Sequence, residues 1–133
     1  MSYTIEHPAF DRQSEADCLI AAGWQDKSWR NDQCPRFHCG PACLWLDYAS
    51  KDNSEVAALG GEAGQCSIEF LQNGQFMGGE GYAFDTVRGA LAFLYLEWIG
   101  HNPFIEDTSA SVASVAQTLS EYAAERWPSE VAA

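Results

Sequence analysis

One dipeptide, Asn73-Gly74, constrains this chain more than any other local feature. It lies between two apolar-rich runs, CSIEFLQ (Cys66 to Gln72) and QFMGGEGYAF (Gln75 to Phe84). Asn and Gly both accept the positive φ that a type I′ turn requires, and that turn matches the right-handed twist of an antiparallel pair. A two-residue loop also fixes the register: Gln72 opposite Gln75, Leu71 opposite Phe76, Phe70 opposite Met77. The glycines at 78, 79 and 81 then call for a bulge or bend, with the strand resuming at Tyr82 to Phe84.

Helices are expected around this hairpin. Val87, Leu91, Leu94 and Trp98 recur at helical spacing, with Asp85 or Thr86 as cap and Gly100 as terminator. Phe93, Tyr95 and Leu96 widen the apolar band, so this helix is buried on more than one side, within one chain or across a homodimer. A last helix spans 108–127, with Val112, Val115, Leu119 and Tyr122 as its stripe and Pro128 as its stop. A shorter one spans 14–23, with Ser14 as N-cap and Gly23 as terminator. CLWLDYA (Cys43 to Ala49) alternates as a strand, setting Leu44, Leu46 and Tyr48 against Cys43, Trp45 and Asp47. Residues 51–65 form a long loop in which EVAALGG makes a helical turn. Residues 24–40 read as irregular, because Pro35 and Pro41 forbid a helix. The expected fold is α+β: a small antiparallel sheet, with its hairpin at Asn73-Gly74, covered by helices. At 133 residues a single compact domain is the simplest organisation, with 1–13 an extended lead-in and 128–133 a frayed tail.

Charge is the second constraint. Nineteen acidic residues face seven basic ones, a formal net charge of −12. Residues 52–133 carry twelve of the acids and only Arg88 and Arg126 as bases. Such a surface repels nucleic acid and attracts basic partners. The longest apolar run, Gly89 to Leu96, falls far short of the ~20 residues that a membrane span requires. MSYTIEHPAF lacks a basic patch and an apolar core, so it does not read as a signal peptide, and a cytoplasmic setting is expected.

NDQCPRFHCGPAC (Asn31 to Cys43) concentrates the candidate chemistry. Cys34, His38, Cys39 and Cys43 are possible zinc ligands, spaced C-x3-H-C-x3-C. A tetrahedral zinc site takes four such ligands, but the common pattern separates two C-x2-C pairs. His38 and Cys39 are adjacent, so in extended chain they point to opposite sides. The alternatives are a disulfide such as Cys34–Cys39, and small buried thiols around a proline-stiffened loop. No recognisable hydrolase signature joins a cysteine to His38 or His101. The glycines of MGGEGYAFDT carry Glu80 and no lysine, which excludes a phosphate loop. These readings favour a protein that is not an enzyme and has no cofactor, with a zinc-binding interaction module on 34–43 as the alternative.

Residues 23–49, GWQDKSWRNDQCPRF…LWLDYA, are similar to segments in small proteins of bacterial mobile elements. In size, charge and compactness the chain resembles the small acidic anti-defence proteins of phages and plasmids, of anti-CRISPR or antirestriction type. That resemblance implies an inhibitor that mimics nucleic acid and blocks the basic site of a protein or nucleoprotein complex, without binding nucleic acid or membrane itself. The residues expected to contact such a partner are the carboxylates Glu55, Glu62, Glu69, Glu80 and Asp85, with Trp24 or Trp29 as an apolar anchor.

Overall fold

A computed structural model describes residues 2–73, 75–77, 81–106 and 109–128. The fold is α+β: six helical segments and a six-stranded antiparallel sheet among the described residues. In chain order these are α1 (Tyr3–Glu6), α2 (Gln13–Ala21), β1 (Gln25–Asp26), β2 (Arg36–Cys39), β3 (Ala42–Leu46), α3 (Glu55–Ala58), β4 (Cys66–Gln72), β5 (Gln75–Phe76), β6 (Tyr82–Phe84), α4 (Val87–Ile99), α5 (Pro103–Glu106) and α6 (Val112–Arg126). The strands run β1-β2-β3-β4-β5 across the sheet, and β6 also pairs with β4.

The hairpin forms in the expected register. Gln72 pairs with Gln75 and Leu71 with Phe76, and the Met77 N–H donates to the Phe70 carbonyl at 3.1 Å. Asn73 has φ +54, the left-handed conformation that the turn demands. Pairing then jumps. Ile68 faces Tyr82, where an unbroken register would have given it residue 79. Gly78 and Gly79, where the sequence called for a bulge or bend, lie outside the described residues.

Strand alternation divides the sheet into two faces. Phe37, Cys39, Ala42, Leu44, Leu46, Cys66 and Ile68 point to the core, with Leu44 flanked by Phe37 and Ile68. α2, α4 and α6 bring Leu19, Leu91, Leu94, Val115 and Leu119 to the same core. The Thr86 hydroxyl caps α4 by accepting from the Gly89 N–H at 3.0 Å. Gly100 ends the helix at φ +108, in the left-handed conformation a glycine adopts without a Cβ penalty. Phe93 packs on Tyr82 and Phe84, with ring centroids 4.7 and 5.2 Å away, which locks α4 onto β6. α6 begins at Val112, closed by a Ser111–Ser114 capping box, four residues later than the sequence suggested.

Three other local expectations are corrected. Residues 3–6 are a helical turn instead of an extended lead-in. The Tyr3 N–H donates to Asp26 Oδ2 and its hydroxyl to Asp17 Oδ1, each at 2.7 Å, while its ring packs on Phe10 and Phe37. α2 starts one residue before Ser14, with Arg12 at the N-cap position. The Arg12 guanidinium instead clamps Glu15 and the carbonyls of Asp47 and Gly64. The stretch 24–40 is not wholly irregular, since β1 and β2 pair there. Gly40 turns β2 into β3 at φ +53, and a Cβ on it would lie 3.0 Å from the Ala123 Cβ. That close approach lets α6 lie against the turn. Of the tail, only Pro128 is among the described residues. No helix among the described residues is long and apolar enough to cross a membrane.

Candidate functional site: an acidic cleft on the far face of the sheet

The side chains that alternate with the core residues form the second face. Across it Arg36 pairs with Trp45, Trp45 with Ser67, Ser67 with Ala83, and Cys43 with Glu69. Two further segments line the space over this face. They are residues 31–34, ahead of β2, and the part of α3 that carries Val56. With Trp45, Ser67, Glu69 and Ala83 of the sheet they line a cleft of about 500 Å³. That volume is in the range of small-ligand pockets, and its lining is mostly apolar.

Its walls are held by internal polar contacts. Asp47 is buried; its Oδ1 accepts from the Tyr48 N–H at 2.8 Å and its Oδ2 from the Ser54 hydroxyl at 2.6 Å. Ser54 also caps α3 by accepting from the Ala57 N–H at 3.1 Å, so one hydroxyl ties the helix to the cleft wall. Behind the wall, the His7 ring bonds the Tyr48 hydroxyl at 3.0 Å and the Trp29 carbonyl at 2.9 Å. A carbonyl only accepts, so Nε2 carries the proton to Trp29.

Two polar atoms of the lining residues have no such partner. Asp32 Oδ2 and Trp45 Nε1 are buried without a hydrogen bond among the described residues. Arg36 Nε lies 3.5 Å from Asp32 Oδ2, within ion-pair range. That N–H, however, donates to the Lys27 carbonyl at 3.0 Å, so the carboxylate is attracted but not bonded. The Arg36 guanidinium carbon sits 5.4 Å from the centre of the Trp45 ring, and Phe76 lies 6.0 Å from that ring.

The expected partner-contacting residues distribute unevenly. Glu69 lines the cleft, Glu55 precedes the lining residue Val56, and Asp85 accepts from the side chain of the lining residue Gln65 at 3.3 Å. Glu62 is elsewhere, in a separate depression with Lys51 and Asp52. Glu80 lies outside the described residues. Trp29 is 46% exposed on the same loop as Asp32, whose N–H donates to its carbonyl. Trp24 is a correction. It is 3% exposed and its Nε1 donates to the Ala116 carbonyl at 3.0 Å, so it joins α6 to the core and offers no surface anchor. Asp32 and Trp45 were missed as site residues. The alternation of Cys43, Trp45 and Asp47 against Leu44 and Leu46 was the available signal for Trp45; nothing in the sequence pointed to Asp32.

The cysteine–histidine cluster scatters. Cys39 faces the core beside Ala42, while His38 and Cys43 pair on the opposite face. No group of three or more His, Cys, Asp or Glu among the described residues is placed to hold a metal ion. All five cysteines are free thiols. Burial pushes Cys34, Cys39 and Cys66 up to about 12, and Cys43 is raised by the same cause. A nucleophilic or metal-binding cysteine needs the opposite shift. Burial, with Arg36 and Lys27 nearby, lowers His38 to about 4, so it is neutral at physiological pH.

Compared with protein-family models, curated proteins and solved structures, the chain matches none.

Proposed function

We propose that this protein is a non-enzymatic inhibitory binding protein of the anti-CRISPR or antirestriction type. Its acidic surface engages the basic nucleic-acid-binding site of a protein complex in the cytoplasm. The observation that carries the reading is the clustering of Asp32, Glu55, Glu69 and Asp85 in or beside one cleft, on a chain of net charge −12. Arg36 is the one basic residue that contacts a lining carboxylate among the described residues. Carboxylates gathered around a concavity focus negative potential and draw in a positively charged surface. Free thiols at all five cysteines suit a reducing compartment.

The test is displacement. The protein is added to a panel of purified CRISPR effector and restriction complexes, and their binding to labelled duplex DNA is measured at low and high salt. At least one complex should lose DNA binding, with the effect weakening as salt rises. The triple variant Glu55→Lys, Glu69→Lys, Asp85→Lys should lose the effect while keeping its circular dichroism spectrum. Failure to displace DNA from any complex, or undiminished displacement by the triple variant, refutes the reading.

A further inference from the structure

One copy of the chain covers only part of α4. Val87, Ala90, Leu91 and Leu94 are buried in the core. At helical periodicity Gly89, Ala92 and Leu96 lie on the opposite side, with Phe93 at the border. Leu96 is 50% exposed, and on the adjoining elements Tyr82 of β6 is 53% and Ile105 of α5 is 77% exposed. Tyr82 packs on Phe93, and a Cβ on Gly89 would lie 3.8 Å from the Phe84 Cβ, so α4 and β6 share one continuous apolar surface. Two charges flank it on the helix: Arg88 stands on one side of the outer face and Glu97 on the other. Asp85 lies just ahead of the helix cap, and all three are exposed. Arg88 is one of only two bases after residue 51. Among the described residues it forms no ion pair; its guanidinium carbon lies 4.0 Å from the centre of the Phe104 ring.

We infer that this surface of α4 and β6 is the interface of a two-fold homodimer, with Tyr82, Phe93 and Leu96 of the two copies packed together and each Arg88 facing a rim carboxylate, Glu97 or Asp85, of the other copy. A two-fold contact uses the same patch on both copies, so the patch must complement itself. This one does. Its centre is apolar and carries no carboxylate, while its rim holds both a base and acids. Charge decides against the other occupants. A net charge of −12 repels nucleic acid and anionic lipid. A basic protein would meet Arg88 here, whereas the carboxylates that attract it gather at the cleft. An arginine without an ion pair calls for an acidic group next to an apolar surface, and a second copy of this acidic chain presents both. The mutual repulsion of the two copies is screened beyond roughly 8 Å at physiological ionic strength, so it opposes the apolar contact only weakly. Tyr, Phe and Arg at the contact, with acids at its edge, match the usual make-up of protein interfaces. A helix with only two charged side chains among thirteen residues is then covered on both sides, as its composition requires. The inference does not rest on the proposed function: Tyr82 and Phe84 alternate with Ala83, which lines the cleft on the other face of the sheet.

The experiment is sedimentation of the full chain from about 1 to about 500 μM, a span that covers the micromolar affinities of interfaces at the small end of the size range. The wild type should pass from monomer to dimer across it. Leu96→Glu sets carboxylates against one another at the apolar centre and should remain monomeric throughout. Its circular dichroism spectrum should not change, because Leu96 is outside the core. Arg88→Glu, at an exposed position, should weaken dimerisation by at least about tenfold. The control is Leu59→Glu, the same change at the exposed C-cap of α3, which should dimerise like the wild type. Should Leu96→Glu fail to fold, Arg88→Glu and the control carry the test. A wild type that stays monomeric at every concentration overturns the inference. So does a dimer that survives Leu96→Glu, one whose affinity Arg88→Glu leaves unchanged, or one that Leu59→Glu disrupts equally.

Discussion

His38 gives the sharpest test of the electrostatics, because its neutral state is enforced by the fold. It sits on β2 between Gln25 and Cys43, beside a crevice shared with Gly40 and Ser120 that has no room for a water molecule. Its Nε2 is buried without a hydrogen bond among the described residues. Desolvation, reinforced by the positive charges of Arg36 and Lys27, lowers its pKa from 6.5 to about 4. Between those values the unfolded chain takes up a proton that the folded chain refuses. Proton uptake on unfolding means that acid favours unfolding. The contribution is therefore fully present above pH 6.5, declines as the pH falls, and is lost at about pH 4. At 1.36 kcal/mol per pH unit the gap amounts to about 3 kcal/mol, and partial solvent access to the ring reduces it to about 2 kcal/mol.

Many carboxylates titrate in the same range, so the wild-type pH profile alone does not isolate His38. The comparison with His38→Leu does. The substitution removes the titrating group and an unpaired buried nitrogen, so at pH 7 its stability should match the wild type within about 1 kcal/mol. Urea unfolding at pH 7 and pH 4 should then show wild type losing about 2 kcal/mol more than His38→Leu. At a slope of about 2 kcal/mol per M, that is an extra fall of about 1 M in the wild-type midpoint. Parallel losses in the two proteins, or a His38 ring proton that titrates near 6.5 by NMR, would refute the argument.

Thiol reactivity follows burial: at pH 8 a thiol reagent should label Cys18 promptly, whereas Cys34, Cys39, Cys43 and Cys66 react only as fast as the fold opens. Prompt labelling of more than one thiol in the native protein would contradict this. Ser54→Ala removes the α3 cap and the 2.6 Å donor to Asp47, and should cost about 2 kcal/mol by urea unfolding. A loss below about 0.5 kcal/mol would show that α3 is not tied to the cleft wall through this hydroxyl. Gly40→Ala puts a Cβ 3.0 Å from Ala123 and 3.2 Å from the Trp127 ring at φ +53, and should lower stability by about 1 to 3 kcal/mol, read from the thermal midpoint.

The parts of the fold that were legible are those specified by local chemistry. Asn73 fixes a positive φ, and the hairpin register follows from the turn alone. Thr86 and Gly100 bracket α4 because a capping hydroxyl and a left-handed glycine act within a turn of themselves. What escaped depends on contacts distant in sequence. RFHC is the exception, since its alternation of Arg36 and His38 with Phe37 and Cys39 is a strand signal and β2 pairs with β3 across only Gly40-Pro41. Tyr3 is helical because Asp26 and Asp17 lie 23 and 14 residues away in sequence yet bond it. The site was half legible for the same reason. Acidic residues near the hairpin were visible in the sequence, but only the folded sheet brings Asp32 from the loop before β2 to the same cleft as Glu69 of β4.

That assembly changes how the net charge should be understood. The sequence puts the acidic excess after residue 51, yet Glu62, Glu97, Glu121 and Glu125 are exposed and do not line the cleft. Charges spread in this way act at a distance and are screened beyond roughly 8 Å at physiological ionic strength. They can speed the approach of a basic surface without choosing its orientation. Asp32 is different: its side chain is 16% exposed and its Oδ2 is buried 3.5 Å from Arg36 Nε, where water screens it less. A partner contact there, on the proposed function, would be less sensitive to salt than the diffuse charges are. On the proposed function, the diffuse carboxylates would govern encounter and the cleft would govern fit. Residues 31–34, singled out by the sequence for Cys34, also bring Asp32 to the cleft.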